Sequence, residues 1–210
     1  MKTAIYIDAL NLYYGSLKGS EYKWLDLKQL AQNLLFPKHE IIAVNYFTTR
    51  VTPKPTNPHV HERQDKYIRA LEKTIPELTI FYGHFLRNKT YMPTVKPPPK
   101  TIRVYKTEEK GSDVNLAVHL LNDAWKGVYE CAVVVSNDSD MAEAMRLVKE
   151  NHPDKMLGLF NPYGKKRATT KLREHADFVR QIQEKHLKNA QLPSPIPNTK
   201  ISKPKGWEKG

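Results

Sequence analysis

Short apolar runs alternate with helix-forming segments along most of this chain, and that alternation admits few folds. Residues 3–7, 41–47, 78–82, 132–135 and 156–160 read as strands rich in β-branched and aromatic side chains. Between and after them, 24–36, 59–73, 112–125, 139–150 and 167–175 carry apolar residues at helical spacing. The pattern predicts an α/β protein with a mainly parallel sheet. Segment 112–125 is apolar nearly all round, which predicts a well-buried helix. Segments 51–58 and 88–100 read as Pro-rich loops, 101–105 as an extended piece beside the third strand, and 178–179 as an edge strand. The length of 210 residues fits one domain with an appendage. The expected division is a domain over 1–183 and a basic, Pro-rich tail over 184–210. The tail has little to bury and packs back through Leu192, Ile201 and Trp207.

The acids stand where this pattern ends. Asp8 directly follows the first strand, and Asp138 and Asp140 follow the strand ending at Val135. In a parallel sheet both places lie at the carboxyl edge, where open α/β folds put their sites. Asp113 opens a crossover helix, which runs antiparallel to the strands, so its start lies at the same edge. Each acid has a plainer use. Asp140 fits a helix N-cap with Glu143 completing a capping box. Asp138 fits a turn, and Asp113 suits a first helical turn. Asp8 gains nothing from a core strand. Like charges crowded together are costly unless a cation offsets them. A hard divalent ion, Mg²⁺ or Mn²⁺, suits an all-oxygen donor set.

Three stretches carry a family resemblance. Tyr6-Ile-Asp-Ala-Leu-Asn11, Lys110-Gly-Ser-Asp-Val-Asn-Leu-Ala117 and Val135-Ser-Asn-Asp-Ser-Asp-Met141 resemble, in order and spacing, the motifs of the NYN domain, a branch of the PIN-like nucleases. The resemblance covers roughly 1–181. The tail, with Ile201-Ser-Lys-Pro-Lys-Gly-Trp207, resembles the ending of a bacterial group of such proteins. The resemblance implies a Rossmann-like three-layer α/β/α sandwich and a metal-dependent ribonuclease. It assigns Asp8, Asp113, Asp138 and Asp140 to the catalytic metal, and Asn11 to ordering Asp8 or touching substrate. Many NYN sequences carry an acid six residues after the second-motif Asp; here His119 stands there, either as a ligand or acid/base group or as an ordinary helix residue. Asp123 reads as a solvated surface residue.

Charge supports a nucleic-acid partner. Lys and Arg number 34 against 22 acids, a formal net charge of +12, and a chain this basic suits a polyanion. Arg50, Lys110, Lys165, Lys166 and Arg167 fall near the carboxyl edge and are candidates for holding a phosphate backbone. Tyr13, Tyr14 and Tyr163 are candidates for base stacking. RNA is favoured over DNA through the resemblance alone. The lone Cys131 sits in an apolar strand and reads as a buried small hydrophobe, in keeping with a reducing cytoplasm. No segment is apolar enough to span a bilayer, so no membrane partner is expected. A homo-oligomer is compatible with the sequence. No Gly-rich turn follows the first strand and no nucleophile elbow appears, which argues against dinucleotide binding and Ser or Cys hydrolysis. One rival reading is a catalytically weak or inactive RNA-binding or interaction module of the same fold, and another is a phosphatase or DNA-directed nuclease using the same carboxylates.

Overall fold

A computed structural model describes residues 1–53, 55–164 and 166–207. Seven strands form one sheet: β1 Lys2–Asp8, β2 Glu40–Thr49, β3 Leu78–Pro93, β4 Thr101–Lys110, β5 Cys131–Val135, β6 Met156–Asn161 and β7 Phe178–Gln181. The helices are α1 Ala9–Leu12, α2 Leu27–Leu34, α3 Val60–Thr74, α4 Ser112–Trp125, α5 Ala142–Asn151, α6 Thr170–Arg173 and α7 Glu184–Lys188, with a π-helical turn at Tyr13–Leu17. The spatial order is β4-β3-β2-β1-β5-β6-β7. All neighbours pair in parallel except β3 and β4.

Period-two alternation builds a core on each face of the sheet. Ile5, Ile7, Val133 and Val135 face one core, closed by Leu27, Leu30, Tyr67 and Leu71 from α2 and α3. Ala4, Tyr6, Ala132 and Val134 face the other, closed by Leu116, Leu120, Met145, Val148 and Leu172 from α4, α5 and α6. The expected three-layer α/β/α sandwich with a mainly parallel sheet is therefore present. The chain winds outward from β1 through β2 to β3, then returns to β5 on the other side of β1 and winds outward again. The order reverses between β1 and β5, and a crevice opens beyond the carboxyl ends of such a strand pair.

Four segments depart from expectation, each for a local reason. Segment 88–100 is mostly strand: β3 runs on to Pro93, and β4 pairs with it from His84↔Lys110 to Pro93↔Thr101. Only residues 94–100 connect them, and the pairing beyond Gly83 lies outside the parallel sheet, which β3 leaves after Thr49↔Gly83. Helix α4 is not buried all round. Leu116, Leu120 and Ala124 are buried, while Val114, Val118 and Trp125 are 65%, 55% and 65% exposed. The helix expected over 167–175 shrinks to Thr170–Arg173: Thr169 takes a non-helical ψ of 143° at its cap, with its amide bonded to the Asn137 side chain at 2.9 Å. The helix expected over 24–36 starts only at Leu27, where the Asp26 side chain caps it by accepting from the Gln29 amide.

The freed Trp24 and Leu25 hold the tail. The Trp24 indole donates to the Pro193 carbonyl at 3.1 Å, and Leu25 bridges to Gln191. Ile201 and Trp207 pack on this core as expected, but the tail buries more than its composition suggests. Leu187, Ala190, Leu192 and Ile196 are all buried. Cys131 is a buried strand residue whose thiol burial pushes up to about 11. Among the described residues, no helix is long and apolar enough to cross a membrane.

Candidate active site

Asp8 is the last residue of the central strand β1 and only 4% exposed. Both of its oxygens are held. The Asn11 amide donates to Oδ1 at 2.9 Å, which makes Asp8 the cap of α1, and Ser136 Oγ donates to Oδ2 at 3.0 Å. Ser136 follows β5, and its Oγ also accepts from the Asp138 amide at 3.0 Å. Asp138 in turn caps the next turn by accepting from the Asp140 amide at 3.0 Å. A second chain of bonds runs alongside. The Asn11 side-chain oxygen accepts from the Asn137 amide at 3.0 Å, and the Asn137 side chain accepts from the Thr169 amide. The ends of β1, β5 and the start of α6 are thus locked together by side chains. Asn11 orders the loop after β5, while its backbone amide holds Asp8.

Asp113 enters on the first turn of α4, ahead of which Gly111 takes φ 96°, a left-handed backbone that suits glycine. Burial pushes its carboxyl up to about 6, and Asp8, Asp138, Glu109 and Asp140 push the same way. Burial also raises Asp8, with Asp138 adding to the rise and the Asn11 and Ser136 bonds opposing it. The four aspartates predicted from sequence therefore share one electrostatic neighbourhood at the β1/β5 crevice. Asp140 is its exposed, outermost member. The alternative use of Asp140 as a helix cap is not realised. Met141 stands at the cap position of α5, and Glu143 instead grips Arg146 at 2.7 and 2.9 Å.

Glu109, at the end of β4, was not anticipated. Its Oε1 accepts from Thr49 Oγ1 at 2.9 Å and from the Ser112 amide at 3.1 Å, and also from the Ser112 hydroxyl. Gly83 makes the room, since a Cβ there would stand 2.3 Å from that oxygen. The signal lay in the sequence: residues 78–107 contain no acid, and Glu108 and Glu109 break that run just ahead of Asp113.

The donor set fits a hard divalent cation, being all carboxylate, partly desolvated and mutually repelling. Among the described residues, however, no three acidic, His or Cys side chains close on one point. An ion here would be held by carboxylates drawn from Asp8, Asp113, Asp138 and Asp140, and would supply positive charge against their mutual repulsion. His119 packs on Phe81 and Phe47, with ring centroids 4.0 and 5.8 Å away, an ordinary aromatic contact. Asp123 is no free surface residue: it accepts from the buried Tyr6 hydroxyl at 2.7 Å.

The basic candidates are spread along the same edge. Arg50 follows β2, but its guanidinium pairs with Asp65 and lies 4.5 Å over the Tyr82 ring. Lys110 stands 4.0 Å from Glu108. Lys166 and Arg167 follow β6 and are exposed; the Lys166 ammonium lies 5.7 Å from the Tyr163 ring centre. Lys165 lies outside the described residues. Lys166 also borders a groove of about 770 Å³ lined by Gly15, Ser16, Tyr22, Tyr163 and Gln183. Tyr13 and Tyr14 are exposed at its approach and meet edge-to-face at 5.3 Å.

Known proteins resemble this chain in fold and in sequence. A solved structure of a protein of unknown function from Vibrio parahaemolyticus superposes with a TM-score of 0.56 at 15% identity, covering 91% of this chain and 96% of that one. That likeness concerns the fold alone. A protein of Pseudomonas putida (strain DSM 28022 / S16), named 6-hydroxy-3-succinoylpyridine 3-monooxygenase HspA, is 34% identical across 99% of this chain and 75% of its own length. The sequence profile of the NYN domain matches residues 2–183, spanning β1, β5 and every aspartate of the crevice, so the chain belongs to the NYN domain family.

Proposed function

We propose that this chain is a metal-dependent nuclease that hydrolyses phosphodiester bonds in RNA, with its activity in residues 1–183. The observation that carries the reading is Asp113, half-buried in a crevice where Asp8, Asp138, Glu109 and Asp140 all raise its carboxyl. Such crowding is costly in a stable domain unless a cation relieves it. When bound, Mg²⁺ or Mn²⁺ supplies a water of lowered pKa and positive charge against the phosphate. The chain's own part is positional. Asp8 is fixed at both oxygens, so it presents its remaining lone pairs in one direction. Ser136 and Asn137 hold the Asp138 loop still, and Asn11 ties that loop to β1. Lys166 and Arg167, exposed after β6, offer cations to the phosphate backbone.

The test is incubation of the pure protein with labelled RNA and DNA in EDTA, Mg²⁺ or Mn²⁺. Cleavage of RNA that appears with metal and stops with EDTA supports the reading. Binding without cleavage in any metal supports the weak RNA-binding module instead.

The Asp113 carboxyl gives a further check. A proton on it competes with a cation, so Mn²⁺ affinity by calorimetry should fall as pH drops below about 6. Asp113→Asn should flatten that dependence. The sign for stability is the reverse of the usual acid case. The folded state holds this proton more tightly than the unfolded chain, so stability without metal is lost as pH rises from about 4 to about 6. Asp113→Asn should therefore stabilise the metal-free protein at neutral pH by about 1 kcal/mol, after discounting for solvent screening. Denaturant melts at two pH values measure it.

The Pseudomonas relative favours a second reading, a monooxygenase acting on a hydroxylated, succinoyl-bearing pyridine. The groove beside Tyr22, Tyr163 and Lys166 has the size for a small aromatic molecule. Oxygen uptake with that compound and a reductant, in a preparation that leaves RNA intact, would favour this reading over the nuclease.

A further inference from the structure

The β3–β4 pair is an arm. From His84↔Lys110 to Pro93↔Thr101 the backbones of its two strands pair with each other, beyond the edge of the parallel sheet. Nine steps of an antiparallel ladder span about 30 Å. Such a ribbon has no core of its own, and Leu86, Tyr91, Met92, Ile102 and Tyr105 are all exposed.

Its charge is one-sided. Residues 84–110 hold seven Lys and Arg against two acids, a net of 7 − 2 = +5. Both acids are engaged at the base. Glu108 pairs with Lys106 at 2.7 Å and Lys110 at 4.0 Å, and Glu109 is bonded to Thr49 and Ser112. The register sorts the remainder by face. Phe85↔Glu109, Arg87↔Thr107, Lys89↔Tyr105 and Tyr91↔Arg103 share one side of the ribbon. On this side the cations have rings for partners: Arg87 and Lys89 lie 4.2 and 5.5 Å from the Tyr105 ring centre, and Arg103 lies 5.8 Å from that of Tyr91. The two tyrosines are 59% and 67% exposed. The same side ends at Glu109, which acts on Asp113 in the crevice.

We infer that this face of the arm is a binding surface for single-stranded nucleic acid, which it leads to the aspartate crevice. The inference rests on the nuclease reading for its purpose, but not for its test. Among the described residues Arg87, Lys89 and Arg103 form no ion pair, and Glu109, the acid on their face, is bonded to Thr49 and Ser112, so the three cations complement a phosphate backbone. Tyr91 and Tyr105 offer exposed rings at two levels for unpaired bases to stack on, and cations interleaved with rings are what a strand without sequence preference needs. A duplex keeps its bases inside the helix and leaves those rings without a partner.

The test uses the full chain in EDTA, so that binding is read without cleavage. Fluorescence anisotropy of labelled oligouridylate and oligothymidylate is titrated at several salt concentrations. Neutralising three phosphate contacts with R87Q/K89Q/R103Q should weaken binding and lower the salt slope by about 2, at about 0.7 per contact on a single strand. Y91A/Y105A should lose about tenfold or more per ring, and Y91F/Y105F should bind as wild type. Loss with RNA alone or with both strands supports the arm. Wild-type affinity and slope in both sets of variants overturn it, as does a wild type that binds neither oligonucleotide. The nuclease reading is judged separately, by metal-dependent cleavage in the same variants. If light scattering shows that the arm variants turn a dimer into a monomer without changing affinity, the arm joins two copies of the chain and the inference fails.

Discussion

Asp8→Asn should cut RNA cleavage in Mg²⁺ or Mn²⁺ by roughly a thousandfold or more, the several kcal/mol that a well-placed metal contributes. The protein should stay folded. Asn keeps the shape of Asp and an oxygen for the Asn11 amide at the α1 cap, where Asn is as good as Asp. Its amide nitrogen would face Ser136 Oγ, a hydroxyl that can accept as well as donate. Burial already disfavours the Asp8 charge, so its removal relieves strain in the metal-free protein. The melting temperature should hold or rise while activity disappears, and that split separates a catalytic role from a structural one. Equal trace cleavage by wild type and Asp8→Asn would mean contamination, and the binding-module reading would then stand. His119→Ala is the informative companion. Its packing on Phe81 predicts a modest loss of stability and a cleavage rate near wild type.

Trp24→Ala should have the largest effect on stability, about 3–5 kcal/mol, because a fully buried indole leaves a cavity that its neighbours cannot fill. Trp24 packs on Tyr67 and Trp207, and its N–H holds Pro193. The Leu192 amide bonds to its carbonyl at 2.9 Å, and the neighbouring Asp26 amide bonds to Ala190 at 2.7 Å. Losing the ring should loosen the tail as well as the core. Limited proteolysis should cut Trp24→Ala within 189–207 under conditions that spare the wild type. Thermal melts should show a drop of about 2–4 °C per kcal/mol for a chain of this size. A variant that melts like wild type with its tail protected would mean that Trp207 and Tyr67 close over the gap.

The sheet was legible because its strands are buried on both faces, which leaves unbroken apolar runs such as Ala132–Val135 ending abruptly in polar residues. Asp8 and Asp138 were legible for the same reason, as acids set at the ends of those runs. Asp113 needed one step more, the antiparallel sense of a crossover helix. The arm was legible only in part: 101–105 read as extended beside the third strand, while 88–93 read as loop. Both of its faces meet water, so alternation carries no apolar signal, and its Lys, Thr and Pro content reads as loop. Glu109 was missed with it, since it stands on the part of β4 read as connection. Helix α4 misled in the other direction. Val114, Val118 and Trp125 are apolar residues on its outer side, and composition does not say which apolar residues find a partner. Asp123 shows the converse, a polar residue on a mostly apolar helix that serves a buried tyrosine.

The place of β1 between β2 and β5 has a consequence for how the chain is made. Strand β2 follows β1 closely, but β5 begins only at Cys131. At about 5–20 residues per second, the ribosome needs roughly 6–25 s after finishing Asp8 to deliver that partner. Through that interval Ala4-Ile-Tyr-Ile7, fully apolar, has one hydrogen-bonding edge without its neighbour. The nascent chain therefore exposes, on a timescale long compared with hairpin or helix formation, the kind of strand that holding chaperones bind and that pairs wrongly between neighbouring polysomal chains.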